Sequence, residues 1–295
     1  MKRLIDITLS LAALPLALAL GLPFAIAIWL GDRHSPIYGG TRVGKDWKPY
    51  RQYKLRSMIV DAEKSRIYAT PKNDSRITPI GRFIRRYKLD ELPQLWNVLR
   101  GEMSLVGPRP NTLHECEMYS AEEKRILRIT PGITDIASIV FFDEQRIING
   151  SSDSNLAYHQ LVRPWKSRYC LLYLERRTLL VDLELIAVTV LLFFFRTLAL
   201  TCLQHVLRRM GAGPDLLSIA RRESPLVPFP PPGMTTVVDS TFGKAETALE
   251  AVSKVRLSAR GGHAPSGLLT STPELPYVPQ PLASSIAAQP DRRYH

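Results

Sequence analysis

RITPIGRFIRRYKLDELPQLWNVLRGEMSLVGPRP, residues 76–110, sets two adjacent carboxylates, Asp90 and Glu91, between two short helical patterns. For the second pattern Pro93 is acceptable in the first turn, Leu92, Leu95, Trp96 and Leu99 recur at helical spacing, and Gly101 is a natural stop. Asp90 and Glu91 then sit at the N-terminal end of an amphipathic helix, where unpaired backbone N–H groups and the helix dipole favour negative charge. An Asp ahead of such a turn is also a common cap, and on the local pattern alone capping is the more frequent explanation. The surroundings shift the balance. Arg82, Arg85, Arg86 and Lys88 lie upstream and Arg100 and Arg109 downstream, more cations than two carboxylates neutralise, so an anionic substrate would complete the charge. Paired acids among guanidinium groups suit phosphoryl transfer: one attacks phosphorus or binds a divalent ion, the other takes a proton, and Arg stabilises phosphate oxygens. Mg²⁺ is the expected ion, because it prefers hard carboxylate and phosphate oxygens, with Asp90 and Glu91 as its protein ligands.

Upstream, Ile7 to Leu30 carries almost no polar group over about 24 residues, enough at roughly 1.5 Å each to cover a hydrocarbon core. The run is longer than the apolar part of a signal peptide, and Asp6 interrupts its head. Pro15 and Pro23 each delete a backbone donor and favour a kink. Lys2 and Arg3 precede the run, and Arg33, Arg42, Lys45, Lys48, Arg51, Lys54 and Arg56 follow it, so both flanks read as cytoplasmic. A re-entrant helical hairpin, residues 1–31, satisfies both flanks better than a straight span. After it, Gly39, Gly40 and Gly44 with Lys45-Asp46 read as turns of a small β-hairpin, with no phosphate-loop consensus. Ser57 through Lys64 reads as a helix start, followed by a polar loop.

Downstream, residues 164–203 alternate apolar runs with Arg176, Arg177, Asp182, Glu184 and Arg196, which predicts an interfacial amphipathic helix rather than a span, with a buried core helix as the alternative. His159, with Tyr158 and Tyr169 nearby, reads as a packing or hydrogen-bonding residue rather than a base. Residues 204–295 hold 12 of the 23 prolines, in patches such as VPFPPPG and TPELPYVPQP, and are expected to be a mostly disordered extension with one transient helix over residues 246–256. The PFPPP patch could serve a partner as a polyproline ligand or act as a plain linker. The net charge is +12 overall, and residues 1–203 alone carry 29 Lys and Arg against 20 Asp and Glu. Such an excess attracts nucleic acid, anionic lipid or phosphorylated small molecules. No nucleic-acid signature is present, and Cys116, Cys170 and Cys202 have neither zinc-ligand spacing nor a disulfide framework.

YKLRSM (53–58), the 76–110 stretch and PGIT (131–134), preceded by KRLID (2–6) and an apolar Pro-broken segment, resemble the bacterial sugar transferase family of monotopic phosphoglycosyl transferases over about residues 2–200. The combination of KLDELPQLWNVLRG with MSLVGPRP is highly specific. The resemblance implies transfer of a sugar 1-phosphate from a UDP-sugar to a polyprenyl phosphate such as undecaprenyl phosphate, with UMP leaving, at the cytoplasmic face of a bacterial inner membrane. It implies that Asp90 is the nucleophile of a covalent phosphosugar intermediate, that Glu91 activates the polyprenyl phosphate and supports the Mg²⁺ site, and that Arg85 and Arg109 hold phosphate. Lys54 and Arg56 are weaker phosphate-binding candidates. A homodimer and glycan-assembly partners engaging the Pro-rich tail are further expectations. Three features depart from the family: Pro15 and Pro23 stand in place of a Ser-Pro break, the long tail is added, and DIASIVFFDEQRII replaces a GWAQVNGR-like stretch, with Arg146 as a replacement for its Arg. The expected architecture is α-dominated mixed α/β: the re-entrant hairpin, one catalytic domain over residues 32–203 with its β-hairpin and interfacial helices, and the extension. The competing reading is a catalytically inactive basic scaffold on anionic lipid or nucleic acid.

Overall fold

A computed structural model describes residues 1–62, 74–148, 151 and 153–239. Its first element, α1 (Lys2–Asp32), runs as one helix through Pro15 and Pro23, and the turn of the helical hairpin expected over residues 1–31 is not seen. By length and composition α1 suffices to cross a membrane, with mean hydropathy 2.3 over its most apolar window, of which 11% is buried. Asp6, Ser10, Ala17, Gly21 and Ile28 form its buried stripe, largely of small residues that permit close approach, while Leu11, Leu16, Leu18, Leu20 and Leu22 are exposed. Both ends are tied to the rest of the protein. Lys2 Nζ donates to Asp182 at 2.7 Å and to the Val106 carbonyl at 3.1 Å, Arg3 donates to the Val98 and Leu99 carbonyls, and Asp6 accepts from Ser104 Oγ and the Leu105 N–H. At the other end Asp32 accepts two hydrogen bonds from Arg56, and Ile28 packs on Leu55 and Ile84.

The expected β-hairpin is present. β1 (Ile37–Val43) pairs antiparallel with β2 (Pro49–Leu55), Ile37 opposite Leu55 and Val43 opposite Pro49. Of the three glycines read as turns, only Gly44 borders one, where Asp46 and Trp47 take φ of 53° and 64°. Gly39 and Gly40 lie inside β1, opposite Tyr53 and Gln52. A Cβ on Gly39 would come 2.4 Å from Arg51 Nε, which donates to the Gly39 carbonyl, so that glycine makes room for a cross-strand arginine. The helix expected from Ser57 is not seen over residues 57–62, and Glu63 and Lys64 lie outside the described residues. Met58 instead bridges Ile77, and the Ser57 carbonyl accepts from the Thr78 N–H, so tertiary pairing overrides local propensity.

α2 (Pro79–Arg86) starts at a Thr78 cap, and α3 (Gln94–Arg100) stops at Gly101, whose φ is 84°. β3 (Ser104–Val106) then runs parallel to β4 (Gly132–Thr134). Just past β3, Gly107 approaches Gly132 so closely that a Cβ on Gly132 would stand 2.1 Å from the Gly107 nitrogen. The glycines of the GPRP and PGIT motifs therefore meet backbone to backbone. α4 (Leu113–Glu117), α5 (Ile136–Val140), α6 (Glu144–Ile148), α7 (Ser154–Ala157), a π-helical turn (Tyr158–Val162) and α8 (Arg163–Arg176) follow. The main core gathers Ile139, Val140, Tyr169, Tyr173, Leu185, Leu203 and Leu207.

The segment expected as one interfacial helix is divided among α8, α9 (Leu179–Phe194) and α10 (Arg196–Arg209). α9 buries Leu185, Val188 and Leu192 and still exposes Leu180, Leu183, Val190, Phe193 and Phe194. α10 runs through the boundary placed at residue 203, and α11 (Pro214–Arg221) follows. The VPFPPPG stretch is then an extended strap over α8. Phe229 lies 4.6 Å from the Trp165 ring, its N–H donates to the Gln160 carbonyl, and Ser120 Oγ donates to the Pro232 carbonyl at 2.6 Å. Proline removes donors but leaves carbonyls, and the strap is held through the Pro230 and Pro232 carbonyls, the Phe229 N–H and one aromatic ring. The transient helix and the second Pro-rich patch lie outside the described residues.

Candidate active site

Asp90 and Glu91 occupy a tight helical turn, Leu89–Glu91, between α2 and α3. Lys88 takes a left-handed φ of 57°, which breaks α2 and redirects the chain. Both acids are buried, 6% and 9% exposed. Neither caps α3: the capping position is Pro93, with no side-chain cap hydrogen bond. Glu91 accepts from Arg109 at 2.5 and 3.4 Å and stands 3.6 Å from Lys54 Nζ. Asp90 Oδ1 is buried with no hydrogen-bond partner among the described residues. Leaving such an atom unmatched costs on the order of 1–3 kcal/mol, which a site recovers when its ligand supplies the missing partner.

The two neighbouring acids are pushed apart electrostatically. Burial raises the Asp90 pKa, and Lys54, then Arg85 and Lys88, only partly offset it, while the Glu91 charge raises it further. Burial also acts to raise Glu91, but Arg109, Lys54 and Lys88 outweigh it and hold that carboxyl below the usual carboxylate range. Glu91 is thus a fixed anion, and Asp90 the more basic of the pair. Lys54 is pushed down to about 8 by burial, against the attraction of Glu91. Arg109 is raised, first by Glu91.

The scaffold that aims these groups reaches well beyond the motif. Asn97 is fully buried and staples α3 to β2, donating to the Arg51 carbonyl and to Glu102, both at 2.7 Å, and accepting from the Tyr53 N–H at 3.0 Å. This fixes the strand that carries Lys54. The Arg109 N–H donates to Asp135, which also caps α5. Lys2 grips the Val106 carbonyl, three residues before Arg109, so the start of α1 helps to hold the GPRP loop. Gln94, three positions after Glu91, is fully buried, and both its amide atoms are unpartnered among the described residues.

Of the residues singled out in the sequence, Asp90, Glu91, Lys54 and Arg109 are brought together, and Arg85 joins them through its electrostatic coupling to Asp90. The Arg85 guanidinium makes no hydrogen bond or ion pair among the described residues. Arg56 is placed elsewhere, with its guanidinium closing the end of α1 on Asp32. Arg146 is exposed on α6 and makes no ion pair or hydrogen bond with the acids. Sequence reasoning passed over Lys88 as a site residue, although its charge acts on both carboxylates, and Asn97, whose only signal was a polar residue on an otherwise apolar helix face. Among the described residues no group of three or more His, Cys, Asp or Glu side chains forms a metal cluster.

A buried acid pair ringed by cations thus stands beside a largely exposed apolar helix long enough to cross a membrane. The model of the bacterial sugar transferase family matches residues 1–196, and the chain belongs to that family. It is 52% identical over 109 residues to a putative undecaprenyl-phosphate N-acetylgalactosaminyl 1-phosphate transferase of Bacillus subtilis, covering 37% of this chain and 61% of that one. It is 36% identical over 192 residues to a UDP-glucose:undecaprenyl-phosphate glucose-1-phosphate transferase of Klebsiella pneumoniae, covering 64% and 39%, and 37% identical over 183 residues to a UDP-galactose-lipid carrier transferase of Erwinia amylovora, covering 53% and 38%. The matches thus span between 38% and 61% of these relatives' own lengths.

Proposed function

We propose that the protein transfers a sugar 1-phosphate from a UDP-sugar to undecaprenyl phosphate. The observation that carries this reading is the buried, unpartnered Oδ1 of Asp90 facing the field of Lys54, Arg85, Lys88 and Arg109. A carboxylate desolvated in this way is a stronger nucleophile, and the cations offset its repulsion from the diphosphate. In the first step an Asp90 oxygen bonds to the sugar-bearing phosphorus as the bond from that phosphorus to UMP breaks, and UMP leaves with the electron pair. In the second, a phosphate oxygen of the lipid acceptor attacks the same phosphorus, the acyl phosphate bond breaks, and Asp90 is restored. Glu91, held anionic, orients Arg109 rather than taking a proton. The acceptor needs little help from a base, because a phosphate monoester with a second pKa near ~6 is mostly dianionic at neutral pH.

The donor set fits Mg²⁺: Asp90 has an unmatched oxygen, and the substrate's phosphate oxygens would complete a shell that Mg²⁺ ordinarily builds from one or two carboxylates plus phosphate and water. When bound, the ion would neutralise charge on the diphosphate. Glu91, engaged by Arg109 and Lys54, is the weaker candidate ligand.

On this reading α1 is a re-entrant membrane segment that brings the site to the lipid boundary of the cytoplasmic face. Lys2 bonded to Asp182 and Asp32 bonded to Arg56 keep both ends of α1 on one globular unit, an arrangement that a straight span would break. The test is UMP release by the purified full chain with Mg²⁺, undecaprenyl phosphate and a panel of UDP-hexoses and UDP-N-acetylhexosamines. Folded protein that releases no UMP with any donor would leave the inactive scaffold as the better reading.

A further inference from the structure

Lys88 heads the turn that carries the acid pair, and its charge acts on both Asp90 and Glu91. Lys54 and Arg109 meet Glu91 directly, at 3.6 and 2.5 Å. The Lys88 ammonium, in contrast, makes no hydrogen bond or ion pair among the described residues. Glu144 also lies in its field, but that carboxylate is paired with Lys166. What the structure sets beside Lys88 is a ring: Nζ stands 5.7 Å from the centre of Phe142. Such a ring attracts the cation and leaves its three N–H donors open to an anion.

From Phe142 an apolar track runs outward. Phe142 is half-buried on the main core and meets Phe193 of α9 edge to face, ring centres 5.9 Å apart. Phe193 is 45% exposed and Phe194, the next residue, 74%; Phe195 and Leu198 continue the exposed apolar surface into α10. Arg196, within this stretch, is held by Asp143 at 2.9 Å. A cation open to an anion beside the acids is thus joined, ring by ring, to an exposed apolar surface.

We propose that Lys88, Phe142 and Phe193 form the seat of the acceptor lipid, with its phosphate on the Lys88 ammonium and its first isoprene units laid along the two rings toward the surface. The acceptor is the substrate that needs both features at one place, because a UDP-sugar has no apolar tail for the rings to cover. Flat double bonds and methyl groups gain dispersion contacts against ring faces, and a phosphate monoester brings up to about two charges to the cation. This rests on the transferase reading, and the test separates the two.

The full chain, in phosphatidylcholine nanodiscs, is irradiated with a farnesyl phosphate analogue that carries a diazirine on its first isoprene unit, and the labelled peptides are mapped. Label at Phe142 or within residues 190–198 that excess undecaprenyl phosphate removes supports the seat. Label confined to other regions overturns it. So does label that undecaprenol removes equally well, which would leave Lys88 without a role, or label that added phosphatidylglycerol removes, which would give the rings to bulk anionic lipid.

Steady-state kinetics supply a second readout, because donor and acceptor react in separate steps and each kcat/KM reports its own step. Phe142→Ala should lower kcat/KM for undecaprenyl phosphate on the order of tenfold, the scale of part of a Phe side chain's burial, and shift that for the UDP-sugar within about twofold. Lys88→Asn, which tolerates the same left-handed φ, should lower kcat/KM for the acceptor more than for the donor. Equal losses toward both substrates would make these side chains structural and overturn the seat. Should Phe142→Ala fail to fold, Phe193→Ala and the cross-link on unaltered protein decide. Wild-type protein that releases UMP from UDP-sugars but labels elsewhere overturns the seat alone. Protein that neither turns over nor takes the label overturns both readings.

Discussion

Lys54 gives the site a titration that ordinary lysines lack. Its ammonium lies 3.6 Å from Glu91 in a half-buried position, and desolvation pulls its pKa down to about 8. Because the charged form serves the diphosphate, activity should be present below that value and lost as the pH rises through it. With a pKa of about 8, roughly nine tenths of Lys54 is charged at pH 7 and roughly one tenth at pH 9, so kcat/KM should fall about tenfold across that window. Lys54→Arg keeps its charge throughout and should flatten this limb, at whatever absolute rate its different geometry permits. The assay is UMP release at fixed Mg²⁺ and subsaturating donor from pH 6 to 9.5, with thermal melts confirming that both proteins remain folded. A wild-type profile flat to pH 9.5, or an unchanged alkaline limb in Lys54→Arg, would refute the assignment.

Two further substitutions separate roles within the cluster. Glu91→Gln removes the anion that anchors Arg109 and should lower kcat/KM on the order of 100-fold while moving the acid limb to lower pH, because the Glu91 charge raises the Asp90 pKa; complete loss of that limb would make Glu91 a base after all. Arg56→Ala should leave kcat/KM within a few-fold, because its guanidinium is engaged by Asp32 rather than by the acid pair. A loss of donor affinity in Arg56→Ala would put that side chain back among the phosphate ligands.

Much of this was legible in the chain itself, for definite physical reasons. Pro79 and Pro93, the Leu spacing and Gly101 specify two short helices through local backbone chemistry, so the turn that carries the acids could be placed. The excess of cations around DE was visible as composition. Which cations face the acids was not, because Lys54 is held beside Glu91 by β2, whereas Arg56, two residues on, lies past the end of that strand and turns to Asp32. Gly39 illustrates the same limit: a glycine cleared for an arginine across a strand pair looks, in sequence, like a turn. The VPFPPPG strap was read as disordered because it lacks its own apolar mass. Its order comes from carbonyls and one phenyl ring meeting Ser120, Arg168 and Trp165, contacts that no local pattern announces. Asp90's missing hydrogen bond likewise exists only once the surrounding protein has closed over it.

The most direct measurement is a single-turnover experiment without the lipid acceptor. Folded protein mixed with a UDP-sugar and Mg²⁺ should release a burst of UMP stoichiometric with enzyme, gain the mass of one sugar phosphate, and carry that mass on the peptide containing Asp90, with Asp90→Asn showing neither burst nor adduct. Turnover by Asp90→Asn, or an adduct on any other residue, would contradict a covalent role for Asp90.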